Sequence, residues 1–515
     1  MSQSFRPRPS QAVLALALAA ALVAPQAGAE TLADAVAEAY QSNPSLEAQR
    51  ANLRALDETY VQARAGWRPT LNFTAQAVWQ ETHNTAALVA NANPFSPLLP
   101  IQRQNYGVFA LNFSQPIWTG GRVAAEVTAT NADVLQGREQ LRQTEAQVLQ
   151  QVISAYADVL RDQQGVATQQ QYENLLETQL REDQARFDVG TDATRTDVAQ
   201  SQSRLAAAQG ALQSAMAQLD TDRATYAAVV GHNPGDLAPL PSLAYLVPAN
   251  VDDAFTIAEQ NSPQLRAQLY AEQASRARIA RARADRMPTL SFNASEEKAN
   301  GAVTPFNSDL YQHIGQAYFT LTVPLFNGGA TTSGIRQAIE RNNSDRISIE
   351  AQRRQVLQTI SQAWAAILAN RANISATEEQ VRAANVAYEG MHEEEKAGLR
   401  STLDVLIAAQ DLSNARLSQA NAQHDEFVDT AALLAVVGRL EARDLIPSQP
   451  RYDPKANFRR LRFSLGWVPW EEPIDAVDRF ATFPETPRSH ELSHEPAIGP
   501  GLQPAPSGKP VKPAS

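Results

Sequence analysis

Four short segments of the chain alternate large apolar side chains with small polar ones at a period of two. They are PTLNFTAQAVW (69–79), GVFALNFSQP (107–116), PTLSFNAS (288–295) and QAYFTLTVP (316–324). In the first segment, Leu71, Phe73 and Trp79 share one face, and Asn72 and Thr74 share the other. Such alternation over about ten residues is typical of a transmembrane β-strand, with lipid on one side and water on the other. The pattern predicts four such strands, although a half-buried hairpin of a soluble domain has the same period.

Most of the remaining chain permits long uninterrupted helices. None of the 30 prolines falls in 117–233 or in 325–446, and proline breaks helix interiors. From Gly121 to Gly190 the chain advances 69 residues, which as a helix is a rod of roughly 100 Å. The second gap contains a rod of the same length. Helices of about half this length are predicted at about Leu32–Ala65, Asp197–Val230, Asp252–Asp285 and Thr402–Arg439.

The second half of the chain repeats the first. Asn43–Phe73 aligns with Ser262–Phe292 at an offset of 219, and the offset falls to 208 after the strands. Apolar positions that recur under the second offset follow the spacing of a helical packing seam. The sequence therefore predicts two copies of one unit, helix–strand–strand–long helix–helix, with the first repeat at 30–249 and the second at 250–443.

Each repeat passes from its second strand to its long helix through a Gly-Gly pair, in QPIWTGGR (115–122) and in VPLFNGGA (323–330). We interpret each stretch as the point where a strand turns into a helix of a tunnel. The residues assigned to these strand–helix junctions are Pro116, Gly120, Gly121, Pro324, Gly328 and Gly329.

Four strands per chain cannot close a barrel, and an open sheet edge cannot exist in lipid. The chain is therefore expected to oligomerise. The strands of a dimer would make a barrel filled by side chains, whereas those of a trimer leave room for a channel. The predicted fold is mixed, all-α plus transmembrane β: a homotrimeric 12-stranded β-barrel, with four strands per subunit, continued by a long α-helical periplasmic tunnel.

The N-terminus and the composition narrow the location and the partners. Arg6 and Arg8 before an apolar run, with AGA at 27–29 after it, predict a signal peptide over 1–29 and Glu30 as the first mature residue. The apolar run is too short for a transmembrane helix. The chain has no cysteine, so neither disulfides nor N-terminal lipidation is expected. The net charge of −11 argues against a nucleic-acid partner.

The C-terminal extension, 444–515, contains 13 of the 30 prolines and is expected to be partly disordered. Its segment FRRLRFSLGWVPW (458–470) is aromatic enough to dock on the protein itself or on a partner. His490, Glu491 and His494 spell the H-E-x-x-H pattern of zinc proteases. Flanking prolines and the lack of a surrounding domain favour a chance match. No catalytic, cofactor or metal site is predicted, and the chain is not expected to be an enzyme.

The signal peptide, the N-P…P-T-L openings, the P-aromatic-x-G-G junctions and the G-L-R-S-T-L-D-V-L turn resemble the TolC family of outer-membrane factors, over about Glu30–Arg443. The resemblance implies a homotrimer in the outer membrane that extends into the periplasm. Such channels export proteins by type I secretion, or drugs and other small molecules, and the missing lipidation cysteine is similar to the secretion branch. A periplasmic coiled-coil adaptor or scaffold that never enters the membrane is the alternative.

The resemblance also implies partners and the place where they bind. The channel would dock to an inner-membrane transporter through a periplasmic adaptor (membrane fusion) protein. The turns with Gly190 and Gly398 end the two rods, so they lie farthest from the membrane. A short glycine-containing turn between antiparallel helices presents a compact tip, and in the family this region receives the helical hairpin of the adaptor.

A periplasmic gate is implied by the same resemblance. Thr196 and Asp197 match a pair that is contacted by an arginine, here Arg400. Asp404 matches the first aspartate of a constriction ring, and the second ring position is an isoleucine in this chain. Glu395 replaces a family tyrosine, so we expect a repulsion between Glu395 and Asp197 unless protonation or Arg400 relieves it. Solvated charges at helix ends are the alternative interpretation of these residues.

Overall fold

The structure, a computed structural model, describes residues 29–83, 101–190, 194–300, 311–447, 450–461 and 467–480. Residues 1–28 of the predicted signal peptide and the H-E-x-x-H stretch lie outside these residues. The chain divides into two compact units. The described residues of the helical unit fall in the ranges 29–68, 126–279 and 329–468. Those of the strand unit fall in 69–125, 280–328 and 469–480.

The order of elements in the first half recurs in the second. The first half contains α1 (Leu32–Ser42), α2 (Pro44–Arg64), β1 (Thr70–His83), β2 (Ile101–Trp118), α3 (Arg122–Val189) and α4 (Arg195–Val230). The second contains α5 (Val251–Asn261), α6 (Pro263–Ala284), β3 (Thr289–Asn300), β4 (Tyr311–Thr322), α7 (Ala330–Lys396) and α8 (Thr402–Val437). The described residues then form α9 (Ala442–Leu445), α10 (Ala456–Leu461) and α11 (Glu471–Arg479). The boundaries of the two repeats stay a prediction.

The two long helices are present as predicted. Helix α3 has 68 residues and α7 has 67, so each is a rod of roughly 100 Å. Among the described helices, none combines the length and the hydrophobicity that a transmembrane helix needs.

The helices that precede each hairpin are broken in two. The prediction of a single helix over about Leu32–Ala65 is wrong, because the residue before a proline avoids the helical conformation. Asn43 has φ −67° and ψ 122°, and its side chain caps α2 by accepting a hydrogen bond from the Ser45 N–H (3.0 Å). Pro44 occupies the first turn of α2, where proline is favoured. Pro263 produces the same break between α5 and α6.

The main core of the helical unit lies halfway along α3. Helix α1, the ends of α4 and α8, and the chain after α8 pack there against α3. The α3 side chains in this core are Val148, Leu149, Val152, Ile153, Ala155, Tyr156, Ala157 and Val159. Leu237, Leu240, Leu243 and Leu246 of the proline-rich stretch between α4 and α5 contribute to the same core or pack against it. The proline-rich stretch between α4 and α5 therefore packs against the middle of α3.

Glu30, the predicted first mature residue, is fixed to this core by two tyrosines. The Tyr156 hydroxyl donates to the Glu30 carbonyl (2.8 Å) and the Tyr226 hydroxyl donates to its carboxylate (2.6 Å). Burial raises the pKa of Tyr156 to about 12, so its hydroxyl keeps the proton that it donates. The start of α1 is thereby held in one position.

The strand unit contains an antiparallel sheet with the order β1-β2-β3-β4. The register pairs Phe73 with Leu111 and Phe292 with Phe319, which places apolar side chains of all four strands on one face. Strand β2 continues through Pro116, and its register against β3 shifts there in a bulge. Proline has no N–H to donate to the neighbouring strand, which explains the irregularity.

Part of the C-terminal extension packs on the chain itself. Within the described residues of 444–515, α10 places the Phe458 ring 4.8 Å from the Tyr60 ring of α2. The Asn457 amide donates to the Asp57 carboxylate (2.9 Å). Of the two docking alternatives for the aromatic segment, Phe458 takes the first, a contact with the protein's own helices.

Candidate channel wall, junctions and gate

One face of the sheet carries a band of exposed apolar side chains. Leu71, Phe73, Trp79, Phe319 and Leu321 are each between 61% and 68% exposed. Soluble monomers rarely expose contiguous apolar patches of this kind. Such a face, with aromatic and aliphatic side chains directed outward, is suited to contact with lipid.

The opposite face carries polar side chains that bond across the strands. The Ser114 hydroxyl of β2 donates to the Asn293 side-chain oxygen of β3 (2.8 Å). The Asn293 amide in turn donates to the Thr320 hydroxyl of β4 (3.0 Å). A hydrophilic face of this kind suits the wall of an aqueous channel.

Strands β1 and β4 are the outer strands of the described sheet. Each is hydrogen-bonded to a neighbour on one side, β1 to β2 and β4 to β3. The backbone groups on their other sides need partners in lipid, because no water is available there to satisfy them. Within the described chain, each outer strand therefore has one edge without a partner strand.

At the first strand–helix junction, two consecutive glycines adopt the left-handed backbone conformation. Gly120 has φ +67° and Gly121 has φ +84°, a region that residues with a Cβ rarely adopt. A Cβ on Gly120 would also collide with the side chain of Met287 and approach the Pro288 carbonyl to 3.1 Å. Glycine is thus required at Gly120 for two reasons, conformation and space.

A carboxylate from the far end of the chain completes this junction. Asp478 of α11 is fully buried and accepts hydrogen bonds from the backbone N–H groups of Thr119 (2.8 Å), Gly121 (3.0 Å) and Ala124 (3.2 Å). The first N–H groups of a helix have no partner within it, and a negative charge is favoured beside them. Asp478 therefore acts as the N-terminal cap of α3, although it lies 359 residues after Thr119.

The second junction has the same glycines but a different environment. Gly328 and Gly329 have φ +66° and +85°, and a Cβ on either would meet no atom of the described residues within 4 Å. Helix α7 has no side-chain cap there. Leu325 and Phe326, which precede the glycines, are 91% and 90% exposed. The two predicted junctions are thus alike in backbone and unlike in packing.

The two predicted adaptor turns each contain a glycine in the left-handed region. Gly190 has φ +75° and Gly398 has φ +72°. In the second turn, the Leu399 N–H donates to the Glu394 carbonyl (2.8 Å) and closes the end of α7. The side chains of Val189 and Leu399 are 78% and 76% exposed. Each tip therefore presents an apolar side chain to its surroundings.

Both aspartates of the predicted gate cap their own helices. Asp197 accepts from the Thr194 N–H (2.8 Å) at the start of α4. Asp404 accepts from the Ser401 hydroxyl (2.8 Å) at the start of α8, and this bond lowers the pKa of the Asp404 carboxyl. Thr196 is exposed beside Asp197. These residues are not brought together within one chain, so the gate stays a prediction.

Arg400 and Glu395 have partners that the sequence did not predict. The Arg400 Nε lies 2.9 Å from a Glu394 carboxylate oxygen. Glu395 is buried and forms an ion pair with Arg186 of α3. Within the chain, the guanidinium of Arg186 compensates the carboxylate of Glu395, and the expected repulsion between Glu395 and Asp197 stays a prediction. A contact from Arg400 to Asp197 between neighbouring chains stays a prediction.

A buried polar cluster ties the far ends of four helices together. Asp183 of α3 accepts hydrogen bonds from Ser201 of α4 (2.5 Å), Thr402 of α8 (3.3 Å) and Gln179 of α3 (3.1 Å). The Gln179 amide also reaches Glu395 of α7 (3.4 Å). Burial raises the pKa of the Asp183 carboxyl, although its hydrogen bonds oppose the shift. We call this group the Asp183 cluster. No short motif marks it, because its members come from four separate helices.

Comparison with known proteins identifies the family. Residues 35–232 and 255–439 match the family described as outer membrane efflux protein. The chain belongs to this family. It is 31% identical over 434 residues to the outer membrane efflux protein BepC of Brucella suis, covering 84% of this chain and 91% of BepC. It is 27% identical over 319 residues to the alkaline protease secretion protein AprF of Pseudomonas aeruginosa, covering 61% of this chain and 66% of AprF.

A solved structure shows the same fold. The crystal structure of the outer membrane protein VceC from Vibrio cholerae aligns with a TM-score of 0.65 and 20% identity, covering 79% of this chain and 96% of VceC. The resemblance to the TolC family is thereby confirmed. As an outer membrane efflux protein, the chain is an export channel of the outer membrane that extends into the periplasm. The comparisons do not favour the adaptor or scaffold alternative.

The Asp478 cap can be tested by replacing its charge. We expect Asp478→Asn to weaken the first junction of this outer membrane efflux protein by about 2–4 kcal/mol, because an amide accepts fewer hydrogen bonds and carries no charge. Hydrogen exchange should accelerate at the amides of Thr119, Gly121 and Ala124. Asp475→Asn on the same helix, which removes a surface pair with Arg479, is the matched control. Equal protection of the three amides in both variants would show that Asp478 is not the cap.

Proposed function

We propose that three copies of this chain close a 12-stranded barrel and continue it as a helical tunnel, the outlet of a tripartite export system. The observation that carries this proposal is the sheet itself. It has an exposed apolar face, a hydrogen-bonded polar face and two edges that pair on one side only. A neighbouring copy supplies strand β4 to pair with β1 and strand β1 to pair with β4.

The second junction supports the same assembly. Leu325 and Phe326 are almost fully exposed beside Gly328 and Gly329. Two large apolar side chains at the end of a strand favour contact with lipid or with another chain. In the proposed assembly, the neighbouring chain covers the second junction, whereas Asp478 completes the first from within.

The names of the relatives indicate two classes of cargo. BepC is an efflux protein and AprF is a protease secretion protein. We infer efflux of small molecules as one function of the outlet and type I secretion of proteins as the second candidate. The match to BepC covers more of the chain and is more identical than the match to AprF, which favours efflux.

The gate is proposed at the far ends of the rods. Arg400 and Asp197 lie at the starts of the returning helices α8 and α4, and Arg400 is exposed enough to reach a neighbouring chain. In a closed trimer, its guanidinium bonds Asp197 of the next copy, and Asp404 forms an acidic ring around the axis. Opening separates these groups.

Single-channel recording tests both the channel and the gate. Purified protein in planar bilayers should form discrete channels, and Arg400→Ser or Asp197→Ala should raise their conductance. The double variant should add little, because both changes remove one interaction. Arg382→Ser is the matched control, since Arg382 forms an exposed pair with Glu379 in α7. A protein without channel activity would contradict the proposed barrel. If all three variants had the same conductance as Arg382→Ser, the proposed gate would be contradicted.

The adaptor contact has a separate test at the exposed tip. We propose that Leu399, 76% exposed beside Gly398, packs against the helical hairpin of the adaptor. Leu399→Asp should abolish ethidium export from cells while bilayer conductance stays unchanged, because a carboxylate cannot be buried in an apolar contact. Leu399→Met should retain export. Normal export by the aspartate variant would place the adaptor elsewhere.

A further inference from the structure

Three side chains with metal-binding atoms converge beside the Asp183 cluster. Glu182 of α3, and His392 and Glu395 of α7, each offer one ligand atom, and these atoms lie within 4.8 Å of one another. His392 and Glu395 are three residues apart on one helix, so they share a face. Glu182 reaches this face from the other long helix.

Two of these side chains contain buried atoms whose hydrogen-bonding capacity is unused. Glu182 Oε2 and His392 Nδ1 are buried and have no hydrogen-bond partner among the described residues. A buried polar atom without a partner costs about 1–3 kcal/mol. A carboxylate oxygen and an imidazole nitrogen are both good ligands for a borderline-soft divalent cation. A cation bound through these two atoms would satisfy both of them at once.

Glu395 can supply the third ligand while it keeps its ion pair. Arg186 contacts Glu395 Oε1 closely, but it lies 3.4 Å from Oε2. The second oxygen is therefore the weaker partner of the guanidinium. Four carboxylates (Glu182, Asp183, Glu393 and Glu395) face two cations (Arg186 and Lys396) here, so a divalent cation is electrostatically favoured.

We propose that Glu182, His392 and Glu395 bind one Zn²⁺ per chain and fasten the end of α3 to the end of α7. Zinc takes nitrogen and oxygen ligands at about 2.0–2.2 Å in a tetrahedron, so the three atoms would draw together to about 3.3 Å from one another. Three protein ligands leave a fourth position for water. A cavity of about 470 Å³, lined by Gln179, Tyr388 and His392 among others, adjoins the site at His392.

The sequence predicted no metal site, so this proposal goes beyond the sequence analysis. Its ligands are spread over two helices and lack the closely spaced pattern of a zinc motif. Binding itself does not depend on the proposed function. Only its consequence does: zinc would stiffen, within one chain, the ends of α3 and α7 that lie beside the groups of the proposed gate.

Calorimetry with ZnCl₂ on the purified full-length protein in detergent tests the site. Wild type should bind one Zn²⁺ per chain, and excess Mg²⁺ should not compete because magnesium prefers oxygen ligands. His392→Gln and Glu182→Gln should each weaken binding about tenfold or more. Zinc should also raise the thermal midpoint of wild type and leave that of His392→Gln unchanged. Co²⁺ in place of zinc should give the absorption of a tetrahedral complex.

Glu389→Gln is the matched control, since Glu389 is an exposed carboxylate that lies on α7 and lines the same cavity. It should bind zinc as wild type does. Equal zinc affinity in wild type, Glu182→Gln and His392→Gln would overturn the proposal. Because all of these measurements use purified protein, their outcome is independent of whether the protein conducts in bilayers.

Discussion

Unpaired backbone groups in lipid impose the constraint from which the architecture of this export channel follows. A soluble sheet can leave an edge to water, but a sheet within a membrane must satisfy every N–H and C=O group internally. The sheet order β1-β2-β3-β4 leaves two outer strands, so one chain makes only part of a wall. Its apolar and polar faces are already separated. In the proposed assembly, other copies of the chain supply the strands that close the sheet.

The transition from strand to tunnel helix poses a second problem that the duplicated halves solve in different ways. Both junctions use two glycines with positive φ, since the chain must turn sharply without steric conflict from a Cβ. At the first junction a buried carboxylate, Asp478, caps the helix, whereas the N-cap residue of the second, Gly329, has no side-chain cap among the described residues. The second exposes Leu325 and Phe326. The two halves thus share the glycine conformation, while the described C-terminal residues contribute Asp478 to the first junction.

The sequence predicted those features that depend on local pattern. Period-two alternation located the strands, gaps between prolines located α3 and α7, and glycine pairs located the junctions. One local signal was underused: the residue before Pro44 is biased away from helix, which explains the missed break at Asn43. The partners of Asp478 and Glu395 could not be predicted in this way. They depend on which helix ends meet in three dimensions. Glu395 also lies beside Lys396 in a helix, and such a sequence pattern is typical of a solvated charge.

Disulfide scanning across the open edges tests the central claim most directly, because the chain has no cysteine of its own. Thr74→Cys in β1 would be combined with one cysteine in β4. The β4 positions to scan share the face of Thr74 by the observed register and are Gln312, Ile314, Gln316, Tyr318, Thr320 and Thr322. The account predicts that at least one pair, after oxidation in membranes, gives covalent species up to a trimer and no larger. Monomers alone for every pair, or a ladder extending beyond three chains, would contradict closure by three copies.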